Sequence, residues 1–70
     1  MYREVFASRV KKAREENKLS QIEAAKLLGV KQPTIAMYEN GKREPNLEML
    51  GKIATSYYHS VDYFLGLSDD

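Results

Sequence analysis

The sequence predicts an all-α domain of five short helices. Three observations carry this. Apolar residues recur at three- and four-residue spacing in one segment after another, no stretch of useful length alternates apolar with polar, and residues suited to capping stand at the segment boundaries. Residues 4–16 form the first helix, with Val5, Phe6, Val10 and Ala13 on one face and Lys11, Lys12, Glu15 and Glu16 on others; Asn17-Lys18 ends it. Ser20-Gln21-Ile22-Glu23 is a capping box, in which Ser20 and Glu23 each satisfy the other's backbone N–H. Leu19, just ahead of it, folds over that start toward Ala24. The second helix runs to about Leu28 with Ala25 and Leu28 inward, and Gly29 suits the left-handed position that stops it. A third helix begins two or three residues later, with Pro33 in its first turn and Ile35 and Tyr38 inward. Asn40-Gly41 is a turn, and Lys42-Arg43-Glu44-Pro45 a charged loop. Asn46 caps a fourth helix carrying Leu47, Leu50, Ile53, Ala54 and Tyr57. Ser60 caps a short fifth one with Asp62 in its first turn, Val61, Phe64 and Leu65 inward, and Gly66 after it. Ser68-Asp69-Asp70 is expected to be a loose tail.

Composition narrows the function classes. The chain has 70 residues, enough for one small domain, and is 43% apolar. With no cysteine and one histidine, neither a disulfide nor a zinc centre is expected, and no other metal or cofactor is called for. No apolar run is long enough to span a membrane, and the opening MYREVFASRV does not read as a signal peptide. The net charge is +1, so only the placement of charges can point to a polyanionic partner. Catalysis is not expected. Asp62, Asp69 and Asp70 share no recognisable cavity, Ser20 and Ser60 are explained as caps, His59 has no acid or nucleophile at useful spacing, and no phosphate loop is present. A domain this small works through its surface.

The two helices around Gly29 are joined too tightly to lie antiparallel, so they cross steeply as a helix-turn-helix, with Ala24 and Ala25 at the contact. With Ile35, Tyr38 and Glu39 facing the core, the second of them shows Gln32, Pro33, Ala36 and Met37 to solvent. That face is uncharged and narrow enough for the major groove of DNA. Gln32 can bond adenine N6 and N7 together, while Pro33, Ala36 and Met37 offer apolar contact, for instance to a thymine methyl. Gln21, Lys31, Asn40, Lys42 and Arg43 surround the face. Gln21 stands at a helix start, where free N–H groups and the dipole attract phosphate.

Leu19-Ser20-Gln21, Ala25, Gly29-Val30, Pro33-Thr34-Ile35, Tyr38-Glu39-Asn40-Gly41, Arg43-Glu44-Pro45, Leu47, Leu50 and Ala54 together resemble the phage-repressor/Cro-like helix-turn-helix family, of the xenobiotic-response-element type, over about residues 5–66. The resemblance implies a lambda-repressor-like five-helix fold that binds operator DNA as a homodimer. It implies base contacts from Gln32, Pro33 and Met37 with Ala36 beside them, and phosphate contacts from Gln21 and Asn40 flanked by Lys42 and Arg43. It also implies a partly buried salt bridge between Arg14 and Glu39, and a dimer face built on Glu44, Pro45, Tyr57, Tyr58 and His59. The sequence departs from the family at several positions. Lys31 replaces a Ser or Thr cap, and Lys31 can reach a phosphate instead. Ala24 replaces a larger Leu, and Ile22 a polar residue. Tyr58 stands where a Gly ends the fourth helix, so a different turn is expected there, since left-handed backbone costs a tyrosine about 1 kcal/mol. His59 replaces Val or Ile. Tyr38 and Tyr57 read as core, Tyr58 and Tyr63 as interfacial aromatics.

The expectation is therefore a sequence-specific regulator of transcription that binds double-stranded DNA, a repressor on a pseudo-palindromic operator. It would act as a homodimer in the cytoplasm of a bacterium or phage host, at the nucleoid, with no small-molecule ligand and no membrane. The alternatives are an antitoxin-like or accessory protein-interaction module, whose mark would be an apolar patch of Ile22, Tyr58 and Tyr63, and a transcriptional activator.

Overall fold

The structure, a computed structural model, describes residues 1–69. Five helices follow in order: α1 Tyr2–Glu16, α2 Gln21–Leu28, α3 Gln32–Glu39, α4 Leu47–Tyr57 and α5 Val61–Phe64. α1 begins two residues earlier than the apolar spacing predicts, helped by Glu4 in its first turn, whose carboxylate lies 2.7 Å from the Met1 ammonium. The caps form as the sequence requires. Ser20 Oγ accepts from the Glu23 N–H at 3.0 Å while Glu23 Oε1 accepts from the Ser20 N–H at 2.8 Å. Asn46 Oδ1 accepts from the Met49 N–H at 2.8 Å, and Ser60 Oγ from the Tyr63 N–H at 3.0 Å. Lys31 at the start of α3 supplies no side-chain cap; Pro33 sets the first turn instead.

One core joins all five helices. Ala13 of α1 and Ala24 of α2 are fully buried where helices meet closely, and Ile53 and Phe64 close the centre. Phe6 meets Tyr38 edge-on at 5.9 Å between ring centres, which ties α1 to the inner face of α3. Gly29, at φ 72°, turns the chain from α2 into α3, and the Val30 N–H donates to the Ala25 carbonyl at 3.0 Å.

Several expectations change. Tyr58 takes the left-handed position itself, at φ 63°, and the His59 N–H donates to the Ala54 carbonyl at 3.1 Å, so the turn keeps its geometry and the tyrosine bears the strain. Leu47 is 87% exposed rather than inward, because as the first helical residue after the cap it lies beyond the edge of the core; the buried stripe of α4 starts at Leu50. Val61 faces outward and Tyr63 is buried, the reverse of their expected places. The Tyr63 ring stacks on His59 at 3.8 Å, and the Arg9 guanidinium lies 4.5 Å from its centre. The same Arg9 donates to the Tyr63 and Ser68 carbonyls at 2.9 and 2.7 Å and lies 3.9 Å from the Asp69 carboxylate. The chain is thus tied down at Ser68 rather than loose there, and Asp70 lies outside the described residues.

Candidate nucleic-acid interface

The candidate surface is assembled from the starts of α2 and α3 and the loop after α3. Because Ile35 and Tyr38 anchor the inner face of α3, the opposite face is left to solvent. Gln32 and Pro33 are exposed at its start, and Ala36 and Met37, half-buried, continue the ridge. Lys31 precedes it, and Asn40, Lys42 and Arg43 follow it, all exposed. The ridge carries no charge, while its borders carry three cations and the asparagine. That is the arrangement needed to bring base edges to one surface and phosphates to the next.

Beneath the ridge runs a continuous polar chain. Arg14 on α1 grips Glu39 at the end of α3 with both arms of its guanidinium, Nε to Oε2 at 2.6 Å and Nη2 to Oε1 at 3.0 Å. The Glu39 side chain is 3% exposed and that of Arg14 11%, so the pair is largely withdrawn from water. The hydrogen bonds to Glu39, more than any other effect, push the Arg14 guanidinium above its ordinary pKa. A third arm of Arg14, Nη1, donates to the Leu19 carbonyl at 2.8 Å and fixes the α1–α2 turn against α3. Glu39 Oε1 also accepts from Gln21 Nε2 at 3.1 Å, and Gln21 Oε1 accepts from Gln32 Nε2 at 2.7 Å. The Arg14–Glu39 bridge stands where the sequence puts it. The link through Gln21 to Gln32 is not visible in the sequence as spacing, since the two glutamines lie eleven residues apart on different helices. Their common place, first residue of α2 and first residue of α3, is the one signal that could have found it. Gln21 thus spends its oxygen and one of its two amide N–H groups within the protein, and one N–H remains.

Tyr57 lies close to the Arg14–Glu39 pair. Burial, then the Glu39 charge, pushes its hydroxyl up to about 12, and that hydroxyl has no hydrogen-bond partner among the described residues. At 1% exposure Tyr57 cannot belong to a dimer face, and the expectation that it does is corrected: its position on the inner stripe of α4 sends the ring into the core. The other four candidates fall into two places. Glu44 and Pro45 border a shallow groove of about 210 Å³ lined by Tyr2, Phe6, Leu50 and Leu65, with the Arg3–Glu44 ion pair at 3.3 Å on its rim. Tyr58 and His59 lie beyond the far end of α4, which at 11 residues is about 16 Å long. Tyr58 is 84% exposed, whereas His59 is half-buried, stacked on Tyr63 with Nε2 3.1 Å from Glu16 Oε1. The apolar patch expected of a protein-interaction module loses Tyr63 to the core, although Ile22 is 60% exposed. Among the described residues no cluster of side chains could hold a metal ion, and no helix is long and apolar enough to cross a membrane.

The geometry has counterparts among known proteins. The chain is 33% identical over 66 residues to the uncharacterized HTH-type transcriptional regulator YobD of Bacillus subtilis, covering 94% of this chain and 59% of that one. It spans little more than half the length of the first curated relatives it matches. The DNA-binding domain of the P22 C2 repressor superimposes with a TM-score of 0.83 at 29% identity, covering all of this chain and 95% of that domain. The substrate-bound Fe(II) form of HppE contains the same fold, with a TM-score of 0.82 at 35% identity, over 89% of this chain but 36% of its own. The family model for helix-turn-helix proteins matches residues 10–57, from the middle of α1 to the end of α4, and the chain belongs to that helix-turn-helix family.

Proposed function

We propose that this chain is the DNA-reading unit of a transcriptional regulator, a repressor that binds a pseudo-palindromic operator through the major groove as a homodimer. One observation carries the reading: an uncharged ridge on α3, exposed at Gln32 and Pro33 and half-buried at Ala36 and Met37, opened by a glutamine whose amide is held in place, with Lys31, Asn40, Lys42 and Arg43 along its borders. Gln32, Pro33, Ala36 and Met37 meet bases; the cations, Asn40 and the α2 start meet phosphates. The names of the relatives, a transcriptional regulator and a repressor's DNA-binding domain, support it. The chain's part is binding and not catalysis, without cofactor, metal or small-molecule ligand, in the cytoplasm at the nucleoid. Glu44 and Pro45, beside the apolar groove, are the better half of the expected dimer face, because Tyr58 and His59 lie at the other end of α4. Two recognition helices would then sit about one helical turn of DNA apart.

Selection of bound sites from random double-stranded DNA tests the reading. The expected result is an enriched site with two half-sites about 10–10.5 base pairs apart, the ~34–36 Å of one DNA turn. Binding should weaken linearly in the logarithm of salt concentration, with a slope that falls by about 1 for Lys42→Ala or Arg43→Ala. Absence of any enriched sequence would overturn the proposal.

A further inference from the structure

We infer that Glu39, a buried residue that reaches no nucleic acid, sets which base Gln32 accepts: acting through Gln21, it fixes the direction of the hydrogen-bond chain and makes Gln32 a reader of adenine rather than guanine. This rests on the DNA-reading function proposed above.

A glutamine alone is an ambiguous reader. It can present its oxygen and one N–H, which match the N6–H donor and N7 acceptor of adenine. It can equally turn its NH₂ group to the groove and offer two N–H donors to the O6 and N7 acceptors of guanine. What removes the ambiguity is any prior commitment of the amide hydrogens. Here the commitment starts at Glu39. Both of its carboxylate oxygens accept from Arg14, so Glu39 has nothing to donate. Gln21 must therefore turn its NH₂ toward Glu39, and Nε2 stands 3.1 Å from Oε1. That leaves the Gln21 oxygen facing Gln32, able only to accept. Gln32 must turn its own NH₂ toward that oxygen, and Nε2 stands 2.7 Å away. One of the two Gln32 N–H groups is thereby consumed. The remaining N–H and the free oxygen form the adenine pattern, while the second donor that guanine requires is already in use. Glu39, 3% exposed and anchored by the guanidinium, cannot swing to relieve the constraint. It is a positioning residue, and so is Gln21.

The experiment measures adenine-over-guanine preference at a single position. Wild-type protein first selects its site from random duplexes. The position whose preference disappears in Gln32→Ala is then synthesised as A·T and as G·C, and affinities are measured for wild type, Glu39→Gln and Gln21→Met. Wild type should favour A·T by roughly 5- to 150-fold. In Glu39→Gln one of the two oxygens becomes an NH₂ group that cannot accept from Arg14, so the pair of acceptors that fixes Gln21 is lost and the chain is no longer held in one direction; the ratio should fall several-fold, toward parity. In Gln21→Met, where an apolar side chain of similar length cuts the chain, the ratio should drop several-fold. The salt dependence should stay unchanged in both, because no cation is lost. An unchanged ratio in folded Glu39→Gln and Gln21→Met, or a Gln32 position that does not select adenine, overturns the inference while leaving DNA reading intact. A wild type that enriches no sequence overturns both. Should Glu39→Gln fail to fold, the Gln21→Met ratio decides alone.

Discussion

Substituting methionine for Arg14 removes the guanidinium from a carboxylate whose side chain is 3% exposed. Glu39 would then keep one hydrogen bond, from Gln21 Nε2, in place of three. Two charge-assisted bonds would go, and a buried negative charge would be left without its counterion, a change that costs about 3–5 kcal/mol. A domain of this length holds only about 4–10 kcal/mol in all. The single variant should therefore lose between a third and nearly all of its stability, and its thermal midpoint should fall by at least ~12 °C at ~4–8 °C per kcal/mol. Arg14 also donates to the Leu19 carbonyl, so some of the loss will come from the α1–α2 turn. Urea unfolding is the assay, with the slope on denaturant checked to be constant. Arg14→Met/Glu39→Met separates the contributions. Replacing both charges with apolar groups should restore most of the loss, leaving the double variant within about 2 kcal/mol of wild type. A single variant that loses less than about 1 kcal/mol, or a double variant that loses the sum of the two singles, would refute the reasoning that the burial of an unpaired charge dominates.

Tyr57→Phe removes a buried hydroxyl that has no partner among the described residues, and it should leave urea stability unchanged or raise it by up to about 1 kcal/mol; a clear loss would mean the hydroxyl is satisfied. Tyr58→Gly should stabilise by roughly 1 kcal/mol, because φ 63° is unstrained for glycine and the 84% exposed ring has little packing to lose; destabilisation measured in urea would show that the ring contributes to the fold. The Glu23 carboxyl is drawn below its ordinary pKa by hydrogen bonds from Ser20, the backbone N–H first. A group depressed in the folded state contributes stability that is present above its unfolded pKa and is lost as pH falls through the folded one. The stability difference between wild type and Glu23→Gln should accordingly be present at neutral pH and vanish in acid below the usual glutamate range; a difference independent of pH would show that the cap does not depend on the charge.

How far the sequence can be read depends on how local each determinant is. The capping box at Ser20, the caps at Asn46 and Ser60 and the left-handed Gly29 involve residues within five positions of one another, and each forms as written. The burial of Tyr63 is not legible from helix phase, because it rests on Arg9, fifty-four residues away, and on the ring of His59 across a turn. The tie on Ser68 comes from the same Arg9, whose spacing on α1 marks it merely as a polar residue beside Val10. Leu47 shows the limit of periodicity at a helix end: it has the correct spacing to Leu50, yet as the first helical residue after the cap it stays 87% exposed. The candidate site follows the same division. The exposed ridge was legible from helix phase, while the Gln21–Gln32 bond arises from the crossing of α2 over α3, a property of the fold and not of either helix.

The placement of Glu39 couples two requirements that a larger protein could keep apart. Its carboxylate holds α1 against α3 through Arg14, and the same Oε1 atom that takes an Arg14 N–H also takes the Gln21 N–H at the root of the reading chain. A substitution that improved packing by replacing the ion pair with apolar side chains would leave Gln21 without its acceptor, free to turn either way, and Gln32 with it. Such a variant could be as stable as wild type or more so. What it would lose, on the proposed function, is discrimination between bases at one position, since the phosphate contacts proposed for Lys31, Lys42 and Arg43 do not pass through the chain. On the proposed function, the buried ion pair serves less for stability, which an apolar replacement supplies equally well, than for an acceptor that cannot donate at the base of α3. Arg14→Met/Glu39→Met, already required for the stability cycle, tests this directly. It should fold, bind random DNA as wild type does, and distinguish A·T from G·C poorly at the Gln32 position. Undiminished discrimination in that folded double variant would return the ion pair to a purely structural role.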